Sequence, residues 1–259
     1  FSQSTLPANG APNPIHTTYA FINAVIHVDE NTILKNGTLI IKDGKIVDVI
    51  EKGIAPKNAV VFDLKGKHVY ASFIDLYTEY GITETGENER RNRRQMGPQM
   101  ESNVKGAYGW NQAIRSDVET YKNFVHQSDQ AESFKKIGIG TVLSAKKDGI
   151  VRGSGVLVNL NNAKENESII TDKCAAFYAL NKGSSTQDYP SSLTGCIALL
   201  RQTYYDAQWY KTNAGKVEYN ISLESFNLLQ NLPGIMESNE KFNNSRIALI
   251  AKEFNTQYI

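Results

Sequence analysis

The stretch Ala71-Ser72-Phe73-Ile74-Asp75-Leu76-Tyr77-Thr78-Glu79 is the seam of this sequence. Phe73 to Thr78 reads as a strand, and the chain changes texture across it. On its N-terminal side the signals are those of short strands joined by tight turns. Ala20 to Val28 is a strand candidate, Asn36-Gly37 reads as a turn, and Val60 to Leu64 is a further strand before a turn at Gly66-Lys67. Two β-rich runs, 38–41 and 45–50, flank Asp43-Gly44, a dipeptide that tolerates positive φ at both turn positions; that is a strong hairpin signal. Residues 19–70 therefore read as a small all-β unit.

On the C-terminal side strands and helices alternate. Ser128 to Ile137 reads as a helix with Ser128 as N-cap and Gly138 as its stop. The run 139–143 is the next strand, and Val156 to Leu160 is another after a glycine-rich bend. Pro190 is placed to open the longest helix, with Leu193, Ile197, Leu200, Tyr204 and Ala207 on its apolar face. Leu223 to Leu229 is helical, 234–236 is a short strand, Ser245 to Phe254 is a helix, and Tyr258-Ile259 begins a strand. Alternation of this kind predicts parallel strands with crossover helices. A parallel sheet left unclosed keeps an unpaired apolar edge, so the expectation is a fragment, or a chain that another chain completes.

Composition narrows the function classes. The chain has 259 residues, 41% of them hydrophobic, which is enough for one large domain or two small ones. Its 28 basic and 27 acidic side chains nearly cancel, which argues against nucleic acid or an anionic membrane as partner. No run approaches the roughly 18 apolar residues of a membrane span. Cys174 and Cys196 are too few for a disulfide framework or a thiolate metal site; one disulfide or two separate buried thiols are the alternatives. Residues 1–18, which begin at Phe1 and hold Pro7, Pro12 and Pro14, read as a mobile arm. An N-terminus of that kind fits removal of a signal peptide, and so an exported, periplasmic or cell-surface bacterial protein.

Three blocks carry a family resemblance: Ile40-Ile41-Lys42-Asp43-Gly44-Lys45-Ile46, then Phe62-Asp63-Leu64-Lys65-Gly66-Lys67-His68-Val69-Tyr70, then Phe73-Ile74-Asp75-Leu76. Together they resemble the amidohydrolase superfamily. The stretch 137–143, Tyr189-Pro190-Ser191-Ser192 with 198–202, and Leu232-Pro233 with 251–254 look like its imidazolonepropionase-related branch. The resemblance implies an α/β fold, with an N-terminal β-sandwich portion (residues 19–71) followed by an incomplete (β/α)8 TIM-like barrel (72–259). It also implies a catalytic zinc, held in family members by a His-x-His pair on the first barrel strand, where residues i and i+2 face the interior. Here those positions are Tyr77 and Glu79, and aligning Leu232 to Met236 with a later family strand puts Glu237 at a third histidine position. The remaining family ligands would lie beyond Ile259. The resemblance thus predicts a degenerate metal site with no metal in this chain, although intact relatives carry zinc.

Other candidates are weaker. Glu79 and Glu237 would form a carboxylate pair for acid–base work or a hard cation, or would pair with barrel Lys or Arg. Arg90, Arg91, Arg93 and Arg94 would contact an anion or a partner, or form a solvated loop neutralised by Glu84, Glu87, Glu89 and Glu101. Gly149, Gly153, Ser154 and Gly155 would cradle a phosphate, or simply bend the chain. His16, His27, His68 and His126 stand at no ligand spacing. Trp110, Tyr204, Tyr205, Trp209 and Tyr210 would line a groove or pack the long helix. Two functions are carried forward. One is a catalytically degenerate amidohydrolase-like module acting as scaffold, binding surface or subunit, whose partner is a protein or a missing C-terminal half. The other is a metal-dependent hydrolase of C–N bonds in cyclic amides or imidazolones, completed by sequence or chains beyond this one.

Overall fold

A computed structural model describes residues 17–82 and 111–259. Most of the N-terminal arm with His16, the arginines at 90, 91, 93 and 94 with their neighbouring glutamates, and Trp110 lie outside the described residues. The chain forms two compact units, Phe1–Ser72 and Phe73–Ile259.

The first unit is a single sheet of β1 (Thr18–His27), β2 (Ile33–Lys42), β3 (Lys45–Glu51), β4 (Val60–Asp63) and β5 (His68–Val69). Its order is β3-β2-β1-β4, with β5 also against β1. The hairpin expected at Asp43-Gly44 is there: both residues have positive φ (52° and 72°), and Lys42 pairs with Lys45 across the turn. Asn36-Gly37 departs from expectation. It lies inside β2 rather than in a turn, because Gly37 faces Ala24 of β1 at a register shift and Ile26 occupies the space beside it. A Cβ at Gly37 would stand 2.6 Å from the Ile26 side chain. The glycine therefore serves close strand approach, not chain reversal.

The second unit contains β6 (Phe73–Thr78), β7 (Ile139–Ser144), β8 (Val151–Asn159), β9 (Ile169–Ala179) and β10 (Gly234–Glu237), in the order β10-β9-β8-β7-β6. Its helices are α1 (Ser128–Lys136), the single turn α2 (Glu165–Ser168), α3 (Leu193–Thr212), α4 (Ile221–Leu229) and α5 (Lys241–Phe254). β6 pairs parallel with β7, and β9 with β10, as barrel strands do. β8 corrects the all-parallel expectation, since it runs antiparallel to both neighbours. The physical reason is the short link at 145–150, which reverses the chain but cannot hold a crossover helix. The result is a half-barrel.

Several boundaries also move. α3 begins at Leu193, three residues after Pro190, because the Ser192 side chain accepts the Gly195 N–H at 3.2 Å and so caps the helix there. α1 begins at Ser128 itself, with Gln127 in the cap position. Gly153, Ser154 and Gly155, read from sequence as a bend, lie within β8.

The two faces of the half-barrel are filled differently. Toward the helices, Val151, Ala176, Tyr178 and Met236 pack with Leu199, Leu200, Tyr204, Ala207, Phe226, Ile247 and Ile250. Tyr204 belongs to this layer and Tyr210 is also buried, while Tyr205 and Trp209 are exposed. A second cluster joins Val142, Val156 and Val158 to Tyr80, Phe124 and Ala131. On the opposite face Leu143, Ala175 and Phe177 meet Tyr77 and Ile235. Cys174 and Cys196 are both free, the first half-buried and the second buried, so the disulfide alternative does not arise. No described helix is long and apolar enough to cross a membrane.

Candidate functional site

Strand alternation puts Tyr77 on the same face as Phe177, and Glu237 two residues after Ile235 on that face. Tyr77 is the next-to-last residue of β6 and Glu237 the last of β10. Both therefore sit at the C-terminal strand ends, where barrel proteins gather functional groups. They are 160 residues apart in sequence, yet the Tyr77 hydroxyl donates to Glu237 Oε2 at 2.6 Å.

Arg152 joins them. It lies at the start of β8, and because β8 is antiparallel its start falls at the same end of the sheet. Its side chain is 5% exposed. Nη1 donates to the Tyr77 hydroxyl at 2.7 Å, Nη2 pairs with Glu237 Oε2 at 2.7 Å, and Nε donates to the Gly149 carbonyl at 3.1 Å. A buried guanidinium demands such partners, and here each of its three nitrogens has one. Lys147 completes the group: its Nζ sits 3.8 Å from the centre of the Tyr77 ring and donates to the Tyr77 carbonyl at 3.2 Å.

The electrostatics follow from these contacts. Burial pushes the Tyr77 hydroxyl up to about 12; the Glu237 hydrogen bond adds to this and the Arg152 charge opposes it. Burial alone would raise the Glu237 carboxyl. Hydrogen bonds from Tyr77 and Arg152, with the Arg152 and Lys147 charges, outweigh it and hold the carboxyl below its ordinary value. Glu237 is thus an anion locked to a cation, and Tyr77 a neutral donor.

Glu79 does not join this cluster. Its carboxylate accepts the Lys147 backbone N–H at 2.9 Å, so Glu79 and Glu237 take different partners. The glycines of β8 make no phosphate cradle: a Cβ at Gly153 would meet the Val118 carbonyl oxygen, which occupies that side of the backbone. His126 accepts or donates one hydrogen bond with the Tyr80 hydroxyl at 2.9 Å, inside the second unit.

Arg152 and Lys147 went unread in the sequence. The available signal was a single arginine in the small and apolar run Ile150-Val151-Arg152-Gly153-Ser154-Gly155-Val156. An arginine at an inward strand position implies a buried anionic or hydroxyl partner.

Beside the cluster lies a cleft of about 370 Å³, lined by Lys147, Arg152, Asn181, Glu237, Ser238 and Asn243, among others. Two of the three residues at the positions where the family resemblance implies zinc ligands do not suit a divalent cation. Tyr77 offers a neutral phenol and Glu237 a carboxylate already neutralised, and the Arg152 guanidinium lies within hydrogen-bond distance of both; Glu79, the third, turns its carboxylate to the Lys147 N–H instead. Among the described residues, no three His, Cys, Asp or Glu side chains gather so as to hold a metal.

No family model matches the chain, and no curated protein matches it. Solved structures do. An amidohydrolase from Thermotoga maritima MSB8 is similar with a TM-score of 0.70 and 20% identity, over 93% of this chain and 63% of that one. A second amidohydrolase is 35% identical over 24% of this chain and 16% of that one, with a TM-score of 0.23. A guanine deaminase from C. acetobutylicum, with guanine bound in its active site, gives a TM-score of 0.32 at 12% identity, over 93% of this chain and 67% of that one. This chain spans 63% of the length of the Thermotoga protein. At 20% identity that likeness speaks to architecture alone: this chain has an amidohydrolase-like fold, with its second unit a half-barrel.

Proposed function

We propose that this chain is an amidohydrolase-like module that carries no hydrolytic metal and acts as a scaffold, binding surface or subunit of a larger protein or complex. One observation carries the reading. A guanidinium occupies the mouth of the half-barrel between Tyr77 and Glu237, two of the three positions where the family resemblance implies zinc ligands. A cation built into the protein repels a second cation at the same donors. The protonated Tyr77 hydroxyl is a poor metal ligand, and Glu237 Oε2 is already taken by the Tyr77 hydroxyl and the Arg152 guanidinium, whose charge the carboxylate balances. The half-barrel supports the rest of the reading, since another segment or another chain would complete such a sheet.

The test measures metal and turnover together. The purified 259-residue chain is dialysed against zinc, and its bound metal is counted in wild type and in Glu237→Ala. Hydrolysis of a hydantoin, an imidazolone and a dipeptide panel is then followed with and without added zinc. The expected result is no turnover of any of these and no zinc whose binding depends on Glu237. Zinc that binds one per chain and is lost in Glu237→Ala, with zinc-dependent hydrolysis, would falsify the proposal.

A further inference from the structure

The first unit brings together two histidines that stand 41 residues apart in sequence. His27 ends β1 and His68 opens β5, and the two strands run parallel with Val25 opposite His68 and Ile26 opposite Val69. Continuing that register sets Tyr70 beside His27, and the Tyr70 ring stacks on the His27 ring with centroids 4.1 Å apart and planes 15° apart. His27 Nε2 and His68 Nδ1 approach to 2.9 Å, and the Tyr70 hydroxyl lies 3.4 Å from the same His68 nitrogen. His68 and Tyr70 are exposed and His27 is half-buried, so an ion from solvent can reach the pair.

We propose that His27 and His68 form a divalent transition-metal site that prefers Cu(II). Imidazole nitrogens bind such ions at about 2.0–2.1 Å. Two of them on one ion stand about 2.9–3.4 Å apart, from a right angle to a tetrahedral one. The 2.9 Å hydrogen bond between the rings therefore places both nitrogens within reach of a single ion without fixing its geometry. Ligand preference selects the metal, since affinity of nitrogen sites rises toward Cu(II) and falls again at Zn(II). With no metal bound, the contact is an N–H···N hydrogen bond in which one ring donates and the other accepts. On metal binding the donating ring moves its proton to its outer nitrogen by exchange with water. Both rings stay neutral, both inner lone pairs become free, and no net proton is released. Aiming the two lone pairs at one ion asks for a turn of the exposed His68 ring, not a shift of the strands. No carboxylate or thiolate completes the set among the described residues, so water fills the remaining positions and the affinity is that of a two-nitrogen site. The site shares no residue with the Arg152 cluster and stands or falls independently of it.

The test titrates the full chain with Cu(II), Ni(II) and Zn(II) chlorides by calorimetry and records the electron paramagnetic resonance spectrum of the Cu(II) form. One Cu(II) per chain is expected, bound at least about tenfold more tightly than Zn(II), with coupling to two imidazole nitrogens in the spectrum. His27→Ala and His68→Ala should each weaken Cu(II) binding by about tenfold or more. His68→Gln, which keeps a hydrogen-bonding side chain on β5 and so controls for loss of structure, should do the same. His126→Gln should leave binding unchanged. Failure of the wild type to bind Cu(II), undiminished binding in His27→Ala and His68→Gln, or Zn(II) bound as tightly as Cu(II) overturns the proposal.

Discussion

Arg152 holds a charge where the protein surrounds it almost completely, so its removal should be felt beyond the loss of one contact. Without it, Glu237 keeps the Tyr77 hydroxyl and the nearby Lys147 charge but loses its ion pair. Breaking a fully buried pair from one side typically costs about 3–5 kcal/mol, and the partial exposure of Glu237 moderates that to about 2–3 kcal/mol. Arg152→Met should therefore lower the urea midpoint of the full chain by that equivalent. Arg152→Met combined with Glu237→Leu should recover part of the loss, because the orphaned carboxylate is then gone as well. A double variant as unstable as the sum of its singles would show that the pair does not act as a unit.

The same cluster sets a pH dependence with two limbs. Glu237 titrates lower in the folded chain than in the unfolded one. Its contribution to stability is present above the ordinary glutamate range, and is lost as pH falls through the depressed folded value. Tyr77 is raised to about 12. Its contribution is complete below the ordinary tyrosine value near 10 and is lost as pH climbs from there toward 12. Glu237→Gln should flatten the acid limb and Tyr77→Phe the alkaline limb, as followed by denaturant midpoints across pH; because each group helps to shift the other, each change should also shrink the remaining limb without removing it. Of this cluster, Tyr77 and Glu237 were legible in the sequence, because each falls at a fixed place in a strand that resembles a family pattern. Arg152 and Lys147 were not, because what marks them is contact with a strand 70 or more residues away, and no local spacing encodes that.

At the scale of the element, β8 sets where Arg152 points. A strand in parallel register would carry the same residues to the opposite end of the sheet. The antiparallel direction, with register shifts between Val151 and Ser154, brings Arg152 to the mouth. Gly153 makes the shift possible: its φ is +82° and a Cβ there would clash with the Val118 carbonyl oxygen. Gly153→Ala should thus cost about 3 kcal/mol or more, combining backbone strain with a contact that neither side can relieve. Gly66→Ala is the control. Its φ of +80° is nearly the same but nothing stands within 4 Å of the added Cβ, so only the conformational cost of about 1–2 kcal/mol remains. Equal losses in thermal or urea denaturation would mean that the Val118 contact contributes nothing.

Strand existence was easier to read here than strand direction or full extent. β6 and the Asp43-Gly44 hairpin follow from local residue chemistry. β9 escaped the sequence reading because its first half, with Thr171-Asp172-Lys173, is exposed and polar, and only Ala175 to Ala179 are buried. Direction is not fixed by the alternation of strands and helices, because the link between β7 and β8 is too short for a crossover helix.

At the scale of the whole molecule, the second sheet has two ends of different character. At one, Tyr258 makes a parallel bridge to Gly234 and the Ile259 N–H donates to the Gly234 carbonyl at 2.8 Å, so residues beyond α5 begin to cover β10. At the other, β6 is terminal, and Phe73, Ile74 and Leu76 are 72%, 57% and 50% exposed. An open edge that is also apolar is a template for pairing with another strand. The 259-residue chain should therefore associate with itself in a concentration-dependent way, and the association should run through β6. Ile74→Lys together with Leu76→Lys places two charges on one face of that strand, where a paired copy would have to bury them. Sedimentation velocity across a concentration series should show the wild type shifting to larger species and the double variant remaining monomeric, with an unchanged far-ultraviolet spectrum to show that the fold survives. Lysines placed instead on exposed helical positions, at Tyr205 and Leu249, should leave association as it was. If those changes abolish it while the β6 pair does not, the contact runs through the helical layer and the β6 edge is not where this chain meets its partner.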